Sequence, residues 1–187
     1  HSVTASADQQ TPDSAPTATA MATGVKTNGN TISVNPNLKK NDATASQTQQ
    51  AELKTFLEYA EERGMATGIV TTTRVTHATP AAQYAHIANR NWENDADLPT
   101  AASVTDIAAQ LIDFNYGDGP DVVFGGGRQS FLPKSVKDPE YPNRSGLRKD
   151  QRNLINAWLS KYPDSQFIWN QKQINSCTSQ NPKHIPA

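Results

Sequence analysis

The sequence predicts an α/β fold in which amphipathic helices lead into the strands they cover. Two observations carry this. Leu53, Phe56, Leu57 and Ala60 recur at i, i+3, i+4 and i+7, with Glu and Lys opposite, and a β-branched run over 67–73 follows at once. The order then repeats. Val104, Ile107, Ala108, Leu111 and Ile112 precede Asp121-Val122-Val123-Phe124, and Leu154, Ile155, Trp158 and Leu159 precede the weaker run Ser165-Gln166-Phe167-Ile168-Trp169. A helix feeding a buried strand is half of a βαβ unit, and a succession of such units builds a largely parallel sheet.

In chain order, residues 1–12 are polar and short, and 13–24 form a small-residue helix closed by Gly24 as a left-handed C-terminal residue. Asp13 and Ser14 stand at its amino end, where unpaired N–H groups and the positive end of the helix dipole favour a phosphate or an oxyanion. Serine also caps helices routinely, so Ser14 is open to either reading. Asn28-Gly29 marks a turn before a short strand over 31–34, and 35–49 reads as a polar loop. After the 53–60 helix and the 67–73 strand, Thr79-Pro80-Ala81-Ala82 reads as a helix start with Thr79 at N-cap and Pro80 at N1. His77, Thr79, His86 and Arg90 thus gather at a strand-to-helix turn, the edge of an α/β sheet where ligands bind; each also has an ordinary reading as cap or surface residue. Ser103 has a capping-box spacing to Asp106 for the next helix. Gly125-Gly126-Gly127-Arg128 is a tight strand exit, lacking the Lys-Ser/Thr pair or Gly-x-Gly-x-x-Gly of a phosphate loop. Residues 134–146 form a Pro-rich polar loop, and the tail 176–187 shows no apolar period and no closing element.

Composition narrows the partners. The 187 residues are 35% hydrophobic, and 10 glycines bring this to roughly 40% against about 45–50% for globular domains. Alanine supplies much of it, so the core is expected to be thin. A net charge of −1 without a basic run leaves no footprint for nucleic acid. No stretch approaches the ~20 apolar residues of a membrane span. The start, His1-Ser2-Val3-Thr4, lacks a charged and then apolar leader, so any export signal is expected to lie upstream or to have been removed. Cys177 is the single cysteine, which rules out an intrachain disulfide.

Several stretches together resemble the alkaline phosphatase family: Asp13-Ser14-Ala15 with Thr19-Ala20 and Thr23-Gly24-Val25-Lys26, then Val70-Thr71-Thr72-Thr73-Arg74-Val75-Thr76-His77-Ala78-Thr79-Pro80-Ala81, then Tyr84-Ala85-His86 and Asn89-Arg90-Asn91-Trp92. Gly125-Gly126-Gly127-Arg128, Asp138-Pro139-Glu140-Tyr141-Pro142, Asn153-Leu154 and Trp158-Leu159 keep the family's order, with the animal-type branch nearest. The resemblance implies a three-layer α/β/α sandwich on a mixed, largely parallel sheet, present only in part over 1–187. It implies a phosphomonoester hydrolase that works through a phosphoserine intermediate and releases inorganic phosphate. Ser14 matches the nucleophile and a zinc ligand, Arg90 the arginine that grips two phosphate oxygens, and Asp13 the residue that orients that arginine. Thr79 matches a magnesium ligand, and His77 a histidine beside the magnesium site that does not bind the ion directly. The site segments are then 13–24 and 69–92. His86 has no catalytic role to inherit and is read as structural. The family's cofactors are two Zn²⁺ and one Mg²⁺, its usual assembly a homodimer, and its usual place the periplasm or the cell exterior.

Three departures qualify the match. His77 with Thr79 mixes an animal-type histidine with a threonine more usual in bacterial members, which leaves the third metal open. Val104 stands where the animal branch has a disulfide cysteine. Most of the family's Asp and His zinc ligands have no counterpart here, since only His1, His77, His86 and His184 are present. The alternative reading is therefore a non-catalytic fragment that binds phosphate through Arg90 and the Ser14 helix. Sulfatases share the general fold and a Cys/Ser-x-Pro-x-Arg motif; Ser14-Ala15-Pro16-Thr17 begins that motif, but Ala18 stands where its arginine would be. The activity is expected to need the remainder of the phosphatase polypeptide. Accordingly, the isolated 187-residue chain should fold poorly and hydrolyse no p-nitrophenyl phosphate with Zn²⁺ and Mg²⁺ added; substantial turnover by the purified chain would refute this.

Overall fold

The computed structural model describes residues 5–176 and, by backbone alone, 184–186. Its sheet has four parallel strands, β1 (Gly68–Arg74), β2 (Val122–Gly126), β3 (Gln166–Ile168) and β4 (His184–Pro186), which lie in the order β1-β2-β4-β3. The helices are α1 (Ser14–Thr23), α2 (Ala45–Ala51), α3 (Phe56–Glu61), α4 (Ala78–Ala81), α5 (Ile107–Asp113), α6 (Leu154–Lys161) and α7 (Gln171–Ser176). The α/β character expected from the helix-then-strand order is what the chain adopts.

Several elements differ from expectation. The tail does contain a strand. β4 pairs Gln166 with His184 and Phe167 with Ile185 on one side, and Val122 with His184 on the other. Three residues are too few to show a period, so only tertiary pairing reveals such a strand. Cys177 lies outside the described residues, as does His1. The β1 run is largely exposed instead of buried: Ile69 is inside, whereas Val70 is 73% exposed, because β1 is the outer strand of the described sheet. The stretch read as a loop over 35–49 runs into α2, a Gln-rich helix with only Thr48 and Ala51 buried. Residues 31–34 make isolated bridges, Ile32 to Ile87 and Val34 to Glu52, instead of a strand.

Helix starts also shift. His77, not Thr79, is the N-cap of α4, and Pro80 is its third residue; a proline is tolerated there because first-turn N–H groups have no intrahelical acceptor anyway. Asp106, not Ser103, caps α5 by accepting from Ala109 N at 3.0 Å. The expected apolar face of α5, with Val104, is buried throughout.

The core is built on close approach of small residues. Ala15, Ala18 and Ala22 of α1 and Ala78 and Ala81 of α4 are all buried where the two helices pack. Trp158 and Leu154 of α6 fill the far end. At the glycine-rich exit of β2, a Cβ on Gly125 would stand 2.6 Å from Thr71 Cγ2 and 2.7 Å from Val75 Cγ1, which explains the glycine by packing alone.

Helix α3 is shorter than its apolar spacing suggested. Phe56 is 71% exposed and Leu53 lies before the helix, while Glu58 and Glu61 are buried. Glu58 closes a capping box with Thr55 and also receives His86 Nε2 at 2.7 Å. The other ring nitrogen, Nδ1, meets the Ser33 carbonyl at 2.8 Å. Both partners accept, so the two bonds are satisfied together only by the doubly protonated ring. Burial pushes His86 down, but the Glu58 hydrogen bond and charge, with the Ser33 carbonyl, raise it above the ordinary 6.5. A folded-state value above the unfolded one means the stabilisation is complete below pH 6.5 and is lost as pH rises through the folded value. His86→Gln in the full-length protein should cost about 1–3 kcal/mol on the acid side. Urea unfolding across a pH series checks it: the gap between wild type and variant should narrow as pH rises, and a gap that widens would refute the assignment.

Candidate functional site

The amino end of α1 sets the site. Asp13 is its N-cap, with extended backbone and Oδ1 accepting from Ala15 N at 2.8 Å, so Ser14 is the first helical residue and its hydroxyl is relieved of capping. The helix closes as expected at Gly24, with φ +75°. Asp13 Oδ2 accepts from Asn30 N at 2.7 Å, and the Asn30 carbonyl accepts from Arg90 N at 2.8 Å. The turn after Asn28-Gly29 thus pins the two partners beside each other.

Arg90 joins the group. Its Nη1 donates to Asp13 Oδ1 at 2.9 Å and to Ser14 Oγ at 2.6 Å, and its Nη2 donates to His77 Nε2 at 2.8 Å. A guanidinium only donates, so His77 Nε2 accepts and the proton of a neutral ring sits on Nδ1, which has no partner among the described residues. Burial and the nearby Arg90 and Arg74 charges hold the His77 ring below its ordinary value against the opposing pull of Glu93. Burial pushes the Asp13 carboxyl up, but the Ala15 and Asn30 N–H groups and Arg90 outweigh it and bring it below the ordinary carboxylate value.

Asp13, Ser14, His77 and Arg90 therefore form one hydrogen-bonded group. Thr79 does not join it: it is exposed on α4, and no hydrogen bond among the described residues links it to the other four. His86 belongs to the α3 contact instead of the turn where its spacing had put it. Residues that spacing did not reveal are Asn30, which acts through its backbone, and Glu93, which accepts from Arg74 and Thr76 at the edge of the group. Asp13 lies 17 residues from Asn30, and Thr76 and Arg74 lie 17 and 19 residues from Glu93, far beyond any helical or strand period.

Metal binding can be judged from the donors. Among the described residues no group of three or more His, Cys, Asp or Glu side chains could hold a metal ion. Ser14 and Thr79 each offer a single hydroxyl, and His77 Nε2 is already engaged by Arg90. The described residues do not fit a zinc or magnesium site by themselves. What they do bring together is one guanidinium and a helix amino end beside a serine hydroxyl.

The alkaline phosphatase family model matches residues 1–185. The tissue-nonspecific alkaline phosphatase of Gallus gallus is 41% identical over 174 residues, which are 88% of this chain and 33% of that protein. The membrane-bound alkaline phosphatase of Bombyx mori is 40% identical over 184 residues, 94% of this chain and 33% of that protein. Alkaline phosphatase from the Antarctic bacterium TAB5 shares the fold at a TM-score of 0.68 and 25% identity, over 98% of this chain and 41% of that one. The chain thus spans 33% of the length of both curated relatives. With sequence match, fold and order of motifs in agreement over nearly its whole length, the chain belongs to the alkaline phosphatase family.

Proposed function

We propose that this chain carries the phosphoryl-accepting part of a phosphomonoester hydrolase whose site is completed by the remainder of the polypeptide. The observation that supports it is the Arg90 guanidinium bridging Asp13 and the Ser14 hydroxyl at the amino end of α1. Ser14 Oγ attacks phosphorus, the bond from phosphorus to the leaving oxygen breaks, and phosphoserine forms while the serine proton passes through solvent to the departing alcohol. Water then attacks the phosphoserine, returning the Ser14 hydroxyl and releasing inorganic phosphate. Arg90 cannot take the serine proton, since a guanidinium stays charged, but its Nη1–H stabilises negative charge growing on Oγ. No hydrogen bond among the described residues uses Arg90 Nε. That N–H and the second Nη2 hydrogen suit two phosphate oxygens, a task for which a planar fork is better than an ammonium. Asp13 orients the fork, and the α1 amino end adds partial positive charge.

Two zinc ions and one magnesium come with the family reading, Ser14 offering zinc one oxygen, Thr79 offering magnesium one, and His77 standing beside the latter. The described residues do not fit them alone, and no step above runs through them. That no metal-holding cluster forms among the described residues supports the second reading for the isolated chain, phosphate binding without turnover. An exported or cell-surface location is supported by the membrane-bound relative, and a homodimer by the family resemblance.

In the full-length enzyme, Ser14→Ala should abolish acid-trapped phosphoprotein and lower kcat by roughly 1,000-fold or more. Arg90→Ala should chiefly weaken inhibition by inorganic phosphate, by roughly 10-fold or more. Phosphoprotein persisting in Ser14→Ala would sink the nucleophile assignment.

A further inference from the structure

Between the end of β1 and the chain just after Arg90, one carboxylate ties two segments together. Glu93 accepts from Arg74 Nε and Nη2 at 2.7 Å each and from Thr76 Oγ1 at 2.5 Å. Its side chain is 15% exposed, and Thr76 is fully buried. The backbone is held too. The Glu93 carbonyl accepts from Ala108 N at 3.1 Å and the Trp92 carbonyl from Ile107 N at 3.0 Å, so the first turn of α5 fixes the segment from behind. On the other side, Val75 N donates to the Gly126 carbonyl at 3.0 Å, which fixes the β1 exit to β2. Burial pushes the Glu93 carboxyl up, but the Arg74 and Thr76 hydrogen bonds and the Arg74 charge bring it below its ordinary value.

The two ends of this clamp are the two ends of the site. His77 follows Thr76 directly, and Arg90 stands three residues before Glu93. The Thr76–Glu93 and His77–Arg90 hydrogen bonds therefore close a ring made of the short segments 76–77 and 90–93. Opening the ring at Glu93 removes the side-chain tie between the 90–93 segment and the β1 exit, and leaves the segment held only by its backbone contacts to α5 and Asn30.

We infer that Glu93 is a positioning residue for Arg90: through Arg74 and Thr76 it sets the separation of the 90–93 segment from the β1 exit, and so the place of the Arg90 guanidinium between Ser14 and His77. It touches no reacting atom. The inference rests on the phosphate-binding role proposed for Arg90. A carboxylate suits the task because its two oxygens match the Arg74 fork, with a lone pair left for Thr76. Glutamine offers one acceptor oxygen and turns an NH₂ group towards the guanidinium.

The test uses the full-length enzyme assayed with Zn²⁺ and Mg²⁺. Glu93→Gln should raise the inhibition constant for inorganic phosphate and KM for p-nitrophenyl phosphate roughly 10-fold, with a smaller fall in kcat. Glu93→Asp, which keeps the charge, should recover part of the loss. A merely structural role would lower the thermal midpoint and the active fraction while leaving both constants of the active enzyme unchanged. Thr76→Val removes one hydrogen bond at nearly constant shape and should shift both constants in the same direction by less; it decides the matter where Glu93→Gln does not fold. Arg90→Ala is the reference. If it weakens phosphate binding and neither Glu93→Gln nor Thr76→Val does, the positioning role is overturned; if Arg90→Ala itself leaves phosphate binding unchanged, the assignment of Arg90 fails and the positioning role falls with it.

Discussion

The carboxylate of Asp13 is the contact on which the rest of the site depends, because it performs three tasks with two oxygens. It caps α1 through Ala15 N, receives the Arg90 guanidinium, and receives Asn30 N. Each partner comes from a different part of the chain, so one side chain sets the start of a helix, the seat of a cation and the path of a turn. The consequence for Ser14 is direct. A helix needs an acceptor at its amino end, and when Asp13 supplies it the neighbouring hydroxyl is left for other chemistry.

Packing behind that contact relies on closeness. Alanines on α1 and α4 let the two helices approach until Ser33 of the 31–34 segment reaches α1 and the end of α4. Ser33 N donates to Thr19 Oγ1 at 2.9 Å, and Ser33 Oγ donates to the Ala82 carbonyl at 2.7 Å. The same residue gives its carbonyl to His86 and adopts φ +46°, a left-handed conformation uncommon for serine. Around these alanines the buried hydrogen bonds matter, because each costs a desolvation penalty if left unmade. Elsewhere the core is not thin as composition suggested: Ile32, Ile87, Ile107, Leu111, Leu154 and Trp158 fill a continuous buried cluster.

What could be read in the sequence follows the same division. Helix α1, its Gly24 end, the buried face of α5 and the order of strands β1 and β2 were legible because each is written in local spacing or propensity. The cap positions at His77 and Asp106 were not, since serine, threonine and aspartate compete for that place and tertiary partners decide: Ser103 Oγ instead accepts from Ala45 N at 2.9 Å. Burial of Glu58 and Glu61 was hidden because their partners, His86 and Thr67, lie on other elements. At the site, Ser14 at a helix start and Arg90 near a strand-to-helix turn were separate candidates, and only the family resemblance joined them, 76 residues apart as they are. Glu93 was not legible at all, because nothing in the spacing of Arg74, Thr76 and Glu93 marks them as partners.

The charge balance of the group bears on the proposal that it is one part of a larger site. Arg90 is offset by Asp13, Arg74 by Glu93, and His77 is held neutral by its acceptor role, which leaves the α1 amino end, about half an elementary charge, as the uncompensated positive term. That is enough to orient an anion and too little to offset a phosphomonoester dianion together with a serine alkoxide. Asp13 could be removed to free the Arg90 charge, but the helix cap and the Asn30 contact would go with it. On the proposed reading, then, further positive charge has to enter from beyond these residues, and the hydroxyl of Ser14, half-buried and already polarised by Arg90, is the atom at which it would act.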